Sequence, residues 1–91
     1  MDLKQALGAA IRAFRLNQKL PQECLGPSQA HISNLESGGL NATLQKVDSI
    51  AGVLGIHPVS IVLAGYLALE EHPDSDAILA RIRSELRAIG R

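Results

Sequence analysis

The side chains best suited to recognition chemistry are gathered between Ser28 and Gly39, in the stretch SQAHISNLESGG. Gln29, His31, Ser33 and Asn34 carry amide, imidazole and hydroxyl groups, which donate and accept hydrogen bonds without a full charge. Ala30, Ile32 and Leu35 are interleaved with them, and Glu36 is the one acid. Ser28 suits a helix N-cap and Gly38 a C-cap. The spacing predicts a short helix over 28–37 with an uncharged, hydrogen-bonding face. Such a face fits a target that carries its own pattern of donors and acceptors; the plainer alternative is a solvated helix surface. Catalysis finds no support. There is no nucleophile–base pair, phosphate loop or metal spacing. His31, His57 and His72 are scattered, and the single Cys24 completes no ligand set. No enzyme, metal or cofactor is expected. Cys24 reads as a small buried side chain. The adjacent Glu70 and Glu71 would not face each other on a helix.

Other helices must hold this segment in place. Leu3, Leu7, Ile11 and Phe14, with Ala6 and Ala10, repeat at helical spacing and predict a first helix over about 3–19. Pro21 suits the first turn of a very short second helix, PQECLG, closed by Gly26 and Pro27. Thr43 caps a further helix with the apolar face Leu44, Val47, Ile50, Ala51 and Leu54, ended by Gly55. Pro58 opens a helix that is apolar nearly all round through Leu69. Asp74 or Ser75 caps the last helix, to about Ile89. There Leu79, Ile82, Leu86 and Ile89 follow the 3-4-3 spacing of a coiled-coil seam.

With 91 residues, one domain with one core is the natural expectation. Hydrophobic residues make up 46% of the chain, yet it has one Phe, one Tyr and no Trp. Ala, Leu and Ile must do the packing, which favours helices over a sandwich of strands. The longest apolar run, Val59 to Leu69, is far short of the roughly 18 residues that suggest a membrane span. No apolar segment follows Met1-Asp2-Leu3-Lys4, so a cytoplasmic protein without a secretory leader is expected. The sequon Asn41-Ala42-Thr43 is discounted for the same reason. The net charge is zero, with the basic residues toward the two ends and only Lys46 between them.

Two short helices, a tight turn and a polar-faced helix make a helix-turn-helix pattern. The stretches IRAFRLNQKLPQE (11–23), LGPSQAHISNLESG (25–38) and NATLQKVDSIAGVLGIHPVSI (41–61) resemble, in order and spacing, the Cro/phage-repressor-type or Xre family of transcriptional regulators. The resemblance covers more than half the chain. It implies an all-α, compact five-helix lambda-repressor-like DNA-binding domain (residues 1–69), followed by a C-terminal helix (residues 70–91) that serves dimerisation. Two features depart from the family. The chain is about four residues shorter between Gln22 and Ser28, roughly one helical turn. The loop Gly39-Leu40-Asn41 also lacks the usual basic residue.

The resemblance further implies roles. The helix over 28–37 would enter the major groove of double-stranded DNA, with Gln29, Ala30, Ser33 and Asn34 at base edges, where Gln and Asn suit adenine. Ile32 and Leu35 would anchor it. Gln22, Ser28, His31, Arg12, Arg15, Lys19 and Lys46 would meet phosphates. Ile61, Leu67, Leu79, Ile82, Leu86 and Ile89 would form a homodimer interface, as apolar surface beyond what the core needs. The expected function is a dimeric repressor reading a palindromic operator. The alternative is an antitoxin-like module whose apolar C-terminal helices bind another protein.

Overall fold

The computed structural model describes all 91 residues and contains helices and no strands. Helix α1 spans Leu3–Asn17, α2 Gln29–Ser37, α3 Leu44–Leu54, α4 Pro58–Leu69 and α5 Ser75–Ala88; a single 3-10 turn, Gln22–Leu25, lies between α1 and α2. Helices α1 to α4 and the 3-10 turn enclose the core, and α5 follows them.

Each helix begins where a short polar side chain can accept from the orphan N–H groups of the first turn. Asp2 accepts from the Gln5 amide at 2.8 Å while the Gln5 side chain accepts from the Asp2 amide at 3.0 Å, a reciprocal capping box. Ser28, Thr43 and Asp74 cap α2, α3 and α5 through the amides of His31, Lys46 and Ala77. His57 caps α4 with its Nδ1. The stops are equally local. Gly38 and Gly55 end α2 and α3 in the left-handed conformation, at φ 81 and φ 67.

Two boundaries differ from the sequence reading. Helix α1 ends at Asn17 rather than Lys19, because Lys19 itself turns left-handed (φ 57) and the Leu20 amide bonds back to the Arg15 carbonyl. Pro21 sits outside the short second segment as its extended N-cap, and that segment is a 3-10 turn of four residues. A 3-10 turn rises more per residue than an α-helix. The short segment links α1 to α2, and Leu25 enters the core at 3% exposure.

The core is aliphatic. Ile11, Ile32, Leu35, Val47, Ile50 and Ile61 are its largest fully buried side chains, contributed by α1, α2, α3 and α4. Close backbone approach sets the α1–α2 crossing: a Cβ on Gly8 would stand 2.1 Å from the Leu35 carbonyl oxygen. Helix α4 lies along α1, with Gly65 against Leu7. Helices α3 and α4 meet at 111° across the Gly55–His57 break, and no single helix is long and apolar enough to cross a membrane.

Three expectations are corrected here. Ile61 is completely buried in the chain's own core, so it offers nothing to a dimer partner. Leu44, expected on the buried face of α3, is 79% exposed because it is the first residue of the helix, ahead of the turn that packs. Cys24 is exposed, since only Leu25 of the 3-10 turn points inward.

Helix α5 stands apart: it buries none of its residues. It leaves a cleft of about 320 Å³ against α4, lined by Val59, Val62, Leu63, Tyr66, Ile78 and Ile82 among others.

Candidate nucleic-acid interface

The periodicity of α2 divides it into two faces. Ile32 and Leu35 are 0% and 1% exposed, and they fasten the helix to the core. Gln29, Ala30, Ser33 and Asn34 lie on the exposed side, together with His31. The Ser28 cap uses its oxygen to accept from the His31 amide at 3.2 Å. Its hydroxyl proton therefore remains available to an acceptor at the helix N-terminus, where the dipole favours an anion.

Behind this face sits a buried ion pair. Glu36 is 7% exposed and Arg15 8%. Arg15 Nε lies 2.6 Å from Glu36 Oε2, and its Nη2 2.8 Å from Oε1, a two-pronged contact. Arg15 Nη1 also donates to the Leu20 carbonyl at 2.8 Å, closing the turn after α1. Burial pushes the Glu36 carboxyl up. Hydrogen bonds from Arg15 and Gln22 and the charges of Arg15 and Arg12 outweigh that and hold it below the usual carboxylate range. The hydrogen bond to Glu36 raises Arg15 above the ordinary guanidinium value, against the opposing effect of burial. Arg15 is thus corrected from a phosphate contact to a structural cation: Nε, Nη1 and Nη2 each donate to Glu36 or Leu20, and its side chain is buried.

The remaining cations lie nearer the surface. Arg12, exposed on α1, shares a polar recess with Gln22, Ser33, Glu36 and Ser37 at the α1–α2 junction. Lys46 is half-buried in the first turn of α3, with Thr43, Gln45, Asp48 and Ser49 lining a shallow recess beside it. Lys19 is exposed at the end of α1. Gln22 is half-buried; its Nε2 donates to Glu36 Oε1 at 3.1 Å, and its Oε1 faces Gln29 Nε2 at 3.5 Å. Gln22 and Gln29, expected in separate roles, are brought together by the structure.

Glu36 received no role from the sequence, although a signal was present. Arg15 follows Ile11 by four residues and Glu36 follows Ile32 by four. Each charge therefore falls on an apolar helix face. Two opposite charges on buried faces of neighbouring helices are the pattern of an internal pair.

The apolar surface lies on α4 and α5. Tyr66, Leu79, Ile82, Leu86 and Ile89 are between 37% and 68% exposed, and Leu67 is half-buried. The one ion pair of α5, Arg81 with Glu85 at 3.5 Å, is open to solvent.

No family model matches the chain, and no curated protein matches it. Among solved structures, it is similar to the crystal structure of the clp gene regulator ClgR from C. glutamicum, with a TM-score of 0.74 and 24% sequence identity over 79% of this chain and 99% of that one. At that identity the likeness is one of fold: the two chains share an all-helical architecture.

Proposed function

We propose that the chain is a sequence-specific DNA-binding transcriptional regulator that reads bases with α2. The observation that carries this is the two-faced α2. It is anchored by Ile32 and Leu35 and presents Gln29, Ala30, Ser33 and Asn34 together on an exposed, uncharged surface. An amide pairs bidentately with adenine in the major groove, which admits one helix. Ser28, His31, Arg12, Lys19 and Lys46 supply phosphate contacts that fix the docking register. The structural neighbour, itself named as a gene regulator, supports the same reading.

The test is selection of sites from a random duplex pool at low, stated salt, followed by anisotropy titrations. Gln29→Ala and Asn34→Ala should each relax preference at one position by about 1–3 kcal/mol. If no sequence is enriched and binding follows salt alone, the reading fails.

The active form in this proposal is a homodimer acting as a repressor on a palindromic operator. Residues 1–69 form the DNA-binding unit, and residues 70–91 the dimerisation element, with Leu67, Leu79, Ile82, Leu86 and Ile89 at the interface. Two linked half-sites raise the effective affinity of a chain with few surface cations. Sedimentation checks this: Leu86→Glu should shift a dimer to a monomer. A second reading, a module that binds another protein through the same α4–α5 surface, is favoured by the zero net charge. A stable heteromeric complex from the native host, with no enriched DNA site, would select it.

A further inference from the structure

Helix α5 and the loop before it divide their charges by end. Residues 70–76 carry Glu70, Glu71, Asp74 and Asp76 and no Lys or Arg. Residues 81–91 carry Arg83, Arg87 and Arg91, while Arg81 is matched within its own helix by Glu85 at 3.5 Å. All these side chains are exposed. The helix dipole accounts for part of the division, since it favours acids in a first turn and bases in a last one. It does not account for Glu70, which caps the C-terminus of α4, where the dipole disfavours an acid. Nor does it account for Arg83, more than a turn before the end of α5 at Ala88. Asp76 and Arg87 lie about three helical turns apart and so share one flank of the apolar seam. Ile82 belongs both to that seam and to the cleft against Val59, Val62 and Tyr66 of α4, so seam and cleft form one apolar surface.

Two copies of such a helix can pack about a two-fold axis in two ways. A parallel pair places acids beside acids and arginines beside arginines. An antiparallel pair sets Leu79 level with the partner's Ile89 and Ile82 level with the partner's Leu86, with each acidic end beside a basic one. Asp76 and Arg87 stand about 16 Å apart along the axis. That exceeds the Debye length of about 8 Å at physiological salt. Each end therefore responds to what lies beside it and not to the far end of its own helix. We infer that α5 packs antiparallel on α5 of a second copy, acidic end to basic end, beside the α4–α5 cleft. The inference rests on the proposed homodimer and gives it a geometry, with the two-fold axis at the level of Ser84, midway along the seam.

The test is sedimentation equilibrium of the full chain at low salt, with Asp76→Arg, Arg87→Glu and the two changes together. No residue of α5 is buried, so the core does not depend on them, and circular dichroism checks the helix content. Each single reversal should weaken self-association by roughly tenfold, because like charges then meet at both ends of the dimer. The double reversal restores opposite charges at both ends and should return to within about threefold of wild type. At high salt the variants and wild type should converge. A helix-end effect alone gives another order: both changes oppose the dipole, and the double variant is the weakest. That order overturns the inference. So does a parallel dimer, in which Arg87→Glu exchanges one like-charged pair for another and leaves association unchanged. In both cases the proposed homodimer stands. A wild-type chain that stays monomeric at every concentration overturns the inference and the homodimer together, and leaves base reading by α2 to its own test.

Discussion

Helices α2 and α5 are both short and amphipathic, and each begins at a capped polar residue, yet the molecule uses them in opposite ways. In α2 the apolar positions Ile32 and Leu35 are sealed in the core and the polar positions are displayed. In α5 and at its C-cap the apolar positions Leu79, Ile82, Leu86 and Ile89 are themselves displayed, from 37% to 68% exposed, and nothing is buried. Periodicity identifies an apolar face but does not name what covers it. For α2 the cover is α1 and the 3-10 turn, with α1 held at close range by Gly8. For α5, on the proposed reading, it is a second copy of the chain.

The contrast can be broken most forcefully at Glu36. Glu36→Gln leaves Arg15 buried without a counter-charge, which costs about 3–5 kcal/mol. For a small domain that is a large share of total stability. Thermal melting should show a fall of tens of degrees or no folded state, whatever the protein concentration. Next comes a matched pair of truncations. Leu35→Ala empties a sealed site and should destabilise the chain by about 2–5 kcal/mol, independent of concentration. Leu86→Ala should leave the dilute chain within about 1 kcal/mol of wild type and lower the melting temperature only at concentrations where copies associate. If both losses were independent of concentration, α5 would be a monomer element and the comparison would fail. Gly8→Ala sharpens the α2 side. Its Cβ would strike the Leu35 carbonyl, so α1 and α2 must separate, at about 1–3 kcal/mol.

A smaller effect comes with pH. The folded state holds the Glu36 carboxyl below its ordinary value of about 4.3. Its stabilisation is therefore complete above the unfolded value and is lost as pH falls through the folded one. The melting temperature should drop on acidification below about pH 4, and the Arg15→Met/Glu36→Met variant should show a shallower drop. The smallest effect belongs to α5. Arg81→Ala removes an exposed i,i+4 pair and should change stability by no more than about 0.5 kcal/mol.

Much of the candidate interface was legible in the residues. Ser28 as a cap, Gly38 as a stop and the interleaving of Ile32 and Leu35 with polar neighbours defined α2 to within a residue. The burial of Arg15 is not legible in the sequence, because a cation on α1 reads as surface until its neighbour is known. Its partner Glu36 lies 21 residues away in sequence and meets it only when α1 and α2 cross. The approach of Gln22 to Gln29 is hidden in the sequence for a similar reason: it depends on the 3-10 turn that folds one toward the other.

The sequence by itself determined where most of the helices begin and end and which face of most of them is apolar, because caps, glycine stops and side-chain periodicity act within a few residues. Only the tertiary structure decided which charges are buried, that Ile61 closes the chain's own core while the α5 seam stays open, and that a carboxylate beneath α2 faces the amides above it. Those outcomes depend on distances between segments remote in sequence, and such distances exist only once the helices have packed.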